Sequence, residues 1–379
     1  MKFIKNQNGM MFTLVAGLTI LALTTCCGSD KIVSHNYVIP DQLDDGWAVS
    51  SLSAQGINSD NIVEVHSRIH NGEYLGINSL LIVRNGNLVF EEYYYGQTRD
   101  AAHPIYSVTK SVSSALIGIA IDEGFLSGVD QTIEELLPEY EYIEWSYKHQ
   151  ITVEDFLTMS SGLDWEELAY PYPDSRNSHW QMTRANEWYE FILERPMMYT
   201  HGTHFEYNTG TSNMFARLID NTTGLPINIF AENHLFGPLG ITGVDWYRDP
   251  HGNPCAGGSG GGLSIKARDM AKFGYLYLND GVWGDSQVIP SDWIAESLNR
   301  HVSLTSGMGY GYQFWQRQFN YRGQFIDAWY GLGYGGQYIF IIDELDLMVM
   351  FTSENYEREY AYSQVIEMMA DYILPAVRQ

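Results

Sequence analysis

Segments with the composition of β-strands fall into two groups, one on each side of a long mixed region of this 379-residue chain. The first group is a hairpin, because apolar runs at 79–84 and 88–95 flank Asn85-Gly86-Asn87, a sequence typical of tight turns. The second group is four successive runs, at 310–316, 324–330, 337–342 and 347–352. Because consecutive strands usually pair with one another, the pattern predicts one antiparallel sheet built from both ends of the chain.

Helical periodicity surrounds these predicted strands. Apolar residues recur at three- and four-residue spacing over 59–71, from Ser107 to Gly124, over 264–279 and over 360–376. Between about 107 and 262, short helical segments alternate with loops rich in Pro, Gly and aromatic residues. We therefore predict an α+β fold, an antiparallel β-sheet flanked by N- and C-terminal helices, with an inserted mainly helical subdomain at about 107–262. The whole is predicted to be a single domain over 56–379.

The N-terminus has the pattern of an export signal. Lys2 and Lys5 precede an apolar to neutral run over 10–23, which is short for a membrane span. Residues 1–25 are therefore predicted to be a signal peptide.

The sequence Leu-Thr-Thr-Cys that ends at Cys26 resembles the bacterial lipobox. This implies lipidation of Cys26 and an exported envelope lipoprotein of the periplasm or outer membrane, held to the membrane by a lipid anchor. Simple cleavage near this site is the alternative. Residues 26–55 are polar, show little periodicity and are predicted to be a tether.

Composition narrows the classes of partner. The chain has 21 Lys and Arg against 46 Asp and Glu, a formal net charge of −25, which argues against nucleic acid because such binding needs basic patches. After Cys26, the two cysteines Cys27 and Cys255 are too few for a disulfide framework. His66 and His70 are four residues apart on a predicted helix. Without a third ligand nearby we interpret them as surface residues, and we expect no metal or cofactor.

The helix predicted from Ser107 begins with Ser-Val-Thr-Lys. On a helix the side chains of Ser107 and Lys110 lie one turn apart on the same face and can form a hydrogen bond. Ser107 could be only an N-cap, as Ser often is. Lys110 argues against this alternative, because a cation in the first turn meets the positive end of the helix dipole. The same field, with burial, lowers the pKa of the lysine toward neutrality, and a neutral amine can act as a general base. Ser107 is therefore the predicted nucleophile.

With these residues the chain resembles the superfamily of serine β-lactamases, penicillin-binding proteins and related esterases. Within it, the resemblance is to the branch of class C enzymes and 6-aminohexanoate-oligomer hydrolases, and it covers nearly the whole chain after the signal peptide. The motifs that carry it are, in order, Ser107–Lys110, LTMSSGL at 157–163, GTHFEYN at 202–208, Gly262-Leu263 and GYGGQ at 333–337. The resemblance implies a β-lactamase/transpeptidase-like fold.

The resemblance also implies a catalytic set. Tyr207 would be the tyrosine of the Tyr-x-Asn motif and would share protons with Lys110 and Ser107; a packed ring in a turn is the alternative. The backbone N–H groups of Ser107 and Gln337 would form the oxyanion hole. The substrate-binding positions would be Tyr334, Gly335, Gly336 and Thr209.

Two of these positions depart from the β-lactamase pattern. Thr209 stands where β-lactamases carry Asn, and Tyr334 stands where they carry the Lys of Lys-Thr-Gly. In β-lactamases those groups orient the side-chain amide of the antibiotic and attract its carboxylate. Losing the cation disfavours anionic β-lactam and D-Ala-D-Ala substrates and leaves acyl transfer possible.

Aromatic residues in the predicted loops are candidate pocket walls for a hydrophobic acyl or amide substrate, although ordinary packing explains each of them individually. They are Trp165, Tyr170, Tyr172, Trp180, Trp329 and Tyr330.

Taken together, these patterns predict a serine hydrolase, a carboxylesterase or amidase, that acts on a small ester, amide or peptide-like substrate through an acyl-enzyme on Ser107. A β-lactamase or D-Ala-D-Ala carboxypeptidase is one alternative. A non-catalytic envelope protein that binds muropeptides or a partner is the other.

Overall fold

The computed structural model describes residues 35–378, so the predicted signal peptide and Cys26 lie outside the described residues. The strands are β1 (Ala48–Val49), β2 (Ile77–Arg84), β3 (Asn87–Tyr93), β4 (Ala102–Pro104), β5 (Asp245–Trp246), β6 (Leu263–Lys266), β7 (Val282–Trp283), β8 (Ser286–Gln287), β9 (Val302–Ser303), β10 (Gly309–Tyr310), β11 (Trp315–Tyr321), β12 (Gln324–Gly333), β13 (Gln337–Ile342) and β14 (Leu347–Ser353).

The helices alternate with these strands and are concentrated between β4 and β6. They are α1 (Ser59–His70), α2 (Val108–Asp122), α3 (Ile133–Leu136), α4 (Val153–Leu157), α5 (Ser178–Met182), α6 (Trp188–Leu193), α7 (Thr209–Thr223), α8 (Ile227–Ala231), α9 (Ala267–Leu278), α10 (Ser291–Ser297), α11 (Tyr360–Met368) and α12 (Leu374–Ala376). Within the described part of the chain, none is both long and apolar enough to cross a membrane.

The main sheet has the strand order β1-β3-β2-β14-β13-β12-β11-β10-β9. Its neighbouring strands are antiparallel except β1 and β3, which are parallel. The N-terminal hairpin joins the C-terminal strands where β2 pairs with β14. The predicted α+β class, with one sheet from both ends of the chain, is confirmed.

The hairpin between β2 and β3 follows directly from its turn sequence. Asn85 and Gly86 both have positive φ, 49° and 71°, as a two-residue turn between right-twisted strands requires. Asn and Gly are the residues that adopt this conformation at least cost.

Apolar side chains on both faces of the main sheet support two helical layers. On one face, α1 and the C-terminal helices bury residues such as Ile62, Val65 and Val365. On the other face, α2, α9 and the inserted helices bury residues such as Val112 and Phe273. The six residues of β13 are all buried. Both faces of this strand are therefore covered, which explains why its sequence is a nearly continuous apolar run and not an alternation of apolar and polar residues.

A second, three-stranded sheet lies at the base of the inserted helices. β6 pairs with β4 on one side and β5 on the other. β4 ends three residues before Ser107, and β6 follows the glycine run at 257–262. The chain therefore enters and leaves the helical region side by side, and this brings the glycine run against the start of α2.

Residues 35–55 pack on the folded body, which corrects this part of the predicted tether at 26–55 and the predicted domain start at 56; residues 26–34 lie outside the described residues. Trp47 and Leu52 are buried, β1 pairs with β3, and the Tyr37 hydroxyl donates to the Val89 carbonyl. A few isolated apolar residues anchor the segment, so it has no periodicity that a sequence pattern could detect.

The predicted strand at 310–316 is also corrected. The chain forms the short β10, turns at Gln313, whose φ is 64°, and then forms β11 over Trp315–Tyr321. The predicted helix at 264–279 begins later, because Leu263–Lys266 is strand β6. The other predicted helices and strands are present with small shifts at their ends.

His66 is not the surface residue that we predicted. Its side chain is buried with 2% exposure, and His70 is exposed as expected. The pKa of His66 is lowered to about 4, mainly by burial and in smaller part by the neighbouring His70 and His35.

Candidate active site

Ser107 lies at the junction between β4 and α2. It occupies the N-cap position of α2, but its side chain makes no capping hydrogen bond. The preceding residue, Tyr106, has φ of 47°, a strained conformation for a bulky side chain and one that clusters at functional sites. A Cβ on Gly258 or Gly262 would collide with the Tyr106 carbonyl, so glycine is needed there for this close approach. Because the Ser107 hydroxyl does not cap the helix, it is available to Lys110.

Lys110 is buried, with 1% exposure. Its Nζ donates to Ser107 Oγ at 3.0 Å, to Thr209 Oγ1 at 2.9 Å and to the carbonyl of Gly257. Burial lowers the pKa of Lys110 to about 8, and the negative charge of Glu167 opposes that shift. The predicted contact between Ser107 and Lys110 is therefore present, with an amine whose protonation changes near neutral pH.

Glu167 joins the lysine to the inserted helices. It has 1% exposure, and its Oε1 accepts from Thr209 Oγ1 at 2.6 Å and from the Tyr172 hydroxyl at 3.2 Å. Its Oε2 accepts from the Thr209 backbone N–H at 2.9 Å and from Trp165 Nε1 at 2.8 Å. Four hydrogen-bond donors therefore hold both oxygens of this one buried carboxylate in place.

Tyr207 completes the group around Ser107. It lies two residues before α7, its ring centroid is 4.9 Å from Lys110 Nζ, and it stacks on Trp315 at 5.6 Å. Burial raises the pKa of Tyr207, the charge of Glu167 raises it further, and a hydrogen bond with Ser107 lowers it. Tyr207 is therefore a neutral phenol whose hydroxyl lies next to Ser107, the predicted nucleophile.

Gln337 lies at the start of β13 and is completely buried. Its side chain donates to the carbonyls of Tyr334 and Ser353 and accepts from the Ser353 N–H. This side chain therefore fastens the β12–β13 turn to β14. Its partner in the β12–β13 pair is Gly333, where an added Cβ would collide with the Ile105 carbonyl. The turn thus lies beside the residues that lead into Ser107.

Four tyrosines form a connected cluster next to Ser107. Tyr106 lies 5.5 Å from Tyr334 and 5.3 Å from Tyr356 between ring centroids. Tyr334 also lies 5.5 Å from Tyr356 and 5.3 Å from Tyr172. The predicted substrate-binding residue Tyr334 thus lies directly beside Tyr172, whose hydroxyl donates to Glu167. We call Tyr106, Tyr172, Tyr334 and Tyr356 the tyrosine wall.

The other predicted pocket residues are placed differently. Trp165 is buried with 3% exposure and packs against Phe191, so it supports Glu167 from the core and is not a pocket wall. Arg176 lies over the Tyr170 ring, and Arg184 lies over the Trp180 ring.

Trp329 and the β12–β13 turn were further candidates. Trp329 is half-buried and packs against the core layer that contains α2. Gly335 and Gly336 are in the β12–β13 turn with φ of 85° and 97°. The Thr209 hydroxyl bonds to Lys110 and Glu167, so it belongs to the hydrogen-bond network around Lys110 rather than to a pocket wall.

Two members of the hydrogen-bond network around Lys110 were not predicted from the sequence, namely Glu167 and the Gly257 carbonyl. Glu167 is buried and its neighbour Glu166 is exposed, and nothing in the local sequence distinguishes them. The Gly257 carbonyl that accepts from Lys110 belongs to a glycine run that the sequence marks only as a loop. Both depend on contacts between distant segments, which a local pattern does not contain.

The comparison with known proteins agrees with this geometry. The sequence profile of the family described as Beta-lactamase matches residues 71–364. The 6-aminohexanoate-dimer hydrolase of Paenarthrobacter ureafaciens is 28% identical over 233 residues, which cover 58% of this chain and 56% of the length of that relative. This chain therefore matches a little over half of that relative.

Solved structures share the fold at low sequence identity. A Bacillus anthracis protein provisionally assigned as a 6-aminohexanoate-dimer hydrolase has a TM-score of 0.68 at 20% identity, covering 89% of this chain and 87% of that chain. EstCE1, a hydrolase with promiscuous acyltransferase activity, has a TM-score of 0.64 at 15% identity, covering 84% and 98%. The family profile spans most of the chain, and the fold is β-lactamase/transpeptidase-like. The chain belongs to the β-lactamase family.

Proposed function

We propose that this protein is a hydrolase that cleaves an ester or amide through an acyl-enzyme on Ser107. The observation that carries the proposal is the buried Lys110 amine, 3.0 Å from Ser107 Oγ and with a pKa lowered to about 8. A nucleophilic serine needs a neighbouring base whose neutral form is accessible near neutral pH. With a pKa of about 8, the neutral amine of Lys110 is a minor form at pH 7 and the major form above pH 8.

The hydrogen-bond partners of Lys110 also orient its lone pair. A neutral amine has two N–H groups and one lone pair. The Gly257 carbonyl can only accept, so it takes one N–H. Thr209 gives its own hydrogen to Glu167 and must accept the second N–H. The lone pair is therefore directed at Ser107, whose hydroxyl proton it can remove.

The proposed reaction begins when Ser107 Oγ attacks the carbonyl carbon and its proton moves to Lys110 Nζ. The Ser107 N–H, at the start of α2 where amide groups lack helical partners, would stabilise the oxyanion with the N–H predicted from Gln337. As the bond to the leaving group breaks, Tyr207 gives its proton to the leaving oxygen or nitrogen and recovers one from Lys110. Water then attacks the acyl carbon, gives its proton to the same bases, and Ser107 leaves as the hydroxyl.

The substrate class that we propose is a neutral or cationic ester or linear amide. The tyrosine wall offers ring faces and hydroxyl groups beside the nucleophile. Glu206, next to Tyr207, has a pKa raised to about 8 by burial and by the charges of Glu166, Glu167 and Asp164. Glu206 is therefore largely protonated at neutral pH, and the carboxylates around it, rather than Glu206 itself, disfavour an anion at this end of the site. The names of the 6-aminohexanoate-dimer hydrolase and EstCE1 support amide and acyl-transfer chemistry. A β-lactamase or D-Ala-D-Ala carboxypeptidase is the second candidate.

The test is covalent labelling together with a substrate screen. A fluorophosphonate should add one adduct per chain, located on Ser107 by peptide mass spectrometry, and Ser107→Ala should abolish both the adduct and hydrolysis of p-nitrophenyl esters. Esters and linear amides should be turned over better than nitrocefin. Activity retained by Ser107→Ala would contradict the nucleophile, and efficient nitrocefin turnover would favour the β-lactamase. A folded protein with neither labelling nor turnover would favour the non-catalytic alternative.

We further propose that the chain is exported and lipidated on Cys26. Only the sequence before residue 35 supports this. Metabolic labelling with an alkyne fatty acid should modify the wild type and not Cys26→Ala, and unlabelled wild type in a cleaved form would indicate simple removal of the signal peptide.

A further inference from the structure

Three histidines meet at the start of the described chain, away from the catalytic residues. His66 and His70 are one turn apart on α1, and His35 comes from the segment before β1. One ring nitrogen of each lies within 4.8 Å of the corresponding nitrogens of the others. The ring centroids are 4.1 Å apart for His35 and His70, 4.7 Å for His66 and His70, and 5.7 Å for His35 and His66.

The surroundings hold these rings in place. The backbone N–H of His35 donates to Ser67 Oγ at 3.0 Å, which fixes this segment on α1. The Tyr94 hydroxyl lies 3.1 Å from His66 Nδ1, and Glu92 Oε1 lies 4.0 Å from His66 Nε2. In metal sites, the ring nitrogen that does not bind the metal is usually held by a hydrogen bond, and a carboxylate often lies close by. His66 is oriented in this way.

We propose that His35, His66 and His70 bind one divalent transition-metal ion of the zinc class. Three imidazoles, with water or Glu92 in a fourth position, form a common zinc ligand set. Zinc–nitrogen bonds of about 2.1 Å require ligand nitrogens roughly 3.3 Å apart. The ring nitrogens now lie within 4.8 Å of one another. Side-chain rotation of the exposed His70 and of His35 can shorten this separation to the one that zinc requires. Imidazole ligands favour zinc, nickel and copper over magnesium and calcium, which prefer oxygen.

The role of the ion would be structural. α1 packs on one face of the main sheet, and α2 with Ser107 belongs to the layer on the other face. The metal ion would therefore hold the segment around His35 against α1, and it would not contact Ser107 or Lys110. The inference is independent of the proposed hydrolase function and departs from our expectation that the chain needs no metal.

The experiment uses the purified chain, first treated with a chelator and then titrated with zinc chloride by calorimetry and by thermal unfolding. His35→Ala and His70→Ala each remove a ligand outside the core. His149→Ala removes an exposed histidine elsewhere on the surface and is the matched control. We expect one zinc per chain and a higher Tm in the wild type and the control. The two ligand variants should bind zinc at least about 10-fold more weakly and lose the rise in Tm.

The other outcomes separate this site from adventitious binding. Magnesium chloride should have no effect on Tm, and ester hydrolysis should be the same with and without zinc in all four proteins. Absence of stoichiometric zinc binding by the wild type would overturn the proposal. Equal zinc affinity in the wild type, His35→Ala and His70→Ala would also overturn it, because the ion would then bind elsewhere. His66→Ala is not used because loss of a buried side chain can unfold the protein by itself.

Discussion

Removing the charge of Glu167 should move the pH dependence of hydrolysis to lower pH. The neutral form of Lys110 is the proposed base, so kcat/KM of the wild type should rise with pH through the pKa of about 8. Glu167 raises this pKa because its negative charge stabilises the ammonium form. In Glu167→Gln the ammonium loses that stabilisation, and the lysine becomes neutral at a lower pH.

The size of the shift follows from the hydrogen-bonded path through Thr209. The bonds of 2.9 Å and 2.6 Å on either side of Thr209 Oγ1 put a Glu167 oxygen within roughly 5.5 Å of Lys110 Nζ. At an effective dielectric constant of about 20, this separation corresponds to roughly 3 kcal/mol, or about 2 pKa units. Relaxation of the site reduces this value, so we expect the rising limb to move down by about 1 to 2 units.

Glutamine should preserve most of the local structure. Its carbonyl can accept from the Thr209 N–H and from Trp165, and its amide can donate to the hydroxyl oxygens of Thr209 and Tyr172. Because Thr209 then no longer donates to residue 167, the maximum rate should fall, and the position of the rising limb rather than its height is the readout. The measurement is kcat/KM for a p-nitrophenyl ester as a function of pH, with circular dichroism to confirm folding. A rising limb that stays in place or moves to higher pH would refute the electrostatic reasoning.

Glu206→Gln is the matched control for this measurement. Glu206 lies beside Tyr207 and also has a pKa raised to about 8, so it could produce the same limb. If Lys110 is the titrating base, this control should keep the rising limb near its wild-type position. Loss of the limb in Glu206→Gln with no change in Glu167→Gln would assign the titration to Glu206 instead.

Three further predictions concern packing, the N-terminal segment and the base. Gly262→Ala should lower the free energy of unfolding by about 2 to 4 kcal/mol in chemical denaturation, because its φ is 65° and a Cβ would overlap the start of α2. Gly224→Ala is the control: Gly224 has a similar φ but open space around it, so the free energy of unfolding should fall by only about 1 kcal/mol. Trp47→Ala should lower the free energy of unfolding by about 3 to 5 kcal/mol in chemical denaturation, because residues 35–55 are part of the folded body. An unchanged free energy of unfolding would restore the tether interpretation. Thr209→Val should lower kcat by roughly 100-fold with little change in KM, whereas Thr209→Ser should remain close to wild type; a rise in KM alone would mean that Thr209 binds substrate.

The sequence predicted those features that depend on neighbouring residues. The hairpin at Asn85-Gly86, the buried strand β13 and the Ser107–Lys110 pair each follow from spacing within a few residues. Gln313, whose positive φ ends one strand and allows the next, carries no comparable signal, and β11 was misplaced as a result. Glu167 and His35 were missed because each acts through residues far away in the chain, and only the fold brings those partners together.

The position of Thr209 changes what the departures from the β-lactamase pattern mean. From the sequence, Thr209 and Tyr334 both appear as lost contacts to an antibiotic. In the structure the Thr209 hydroxyl lies between Lys110 and Glu167, so this substitution concerns the orientation and pKa of the base. The argument about substrate charge therefore depends on Tyr334, which adds a ring and a hydroxyl to the tyrosine wall where a cation would attract a carboxylate. Without a cation at this position an anionic acyl group would gain little there, and esters or amides without a carboxylate beside the scissile bond fit this site better.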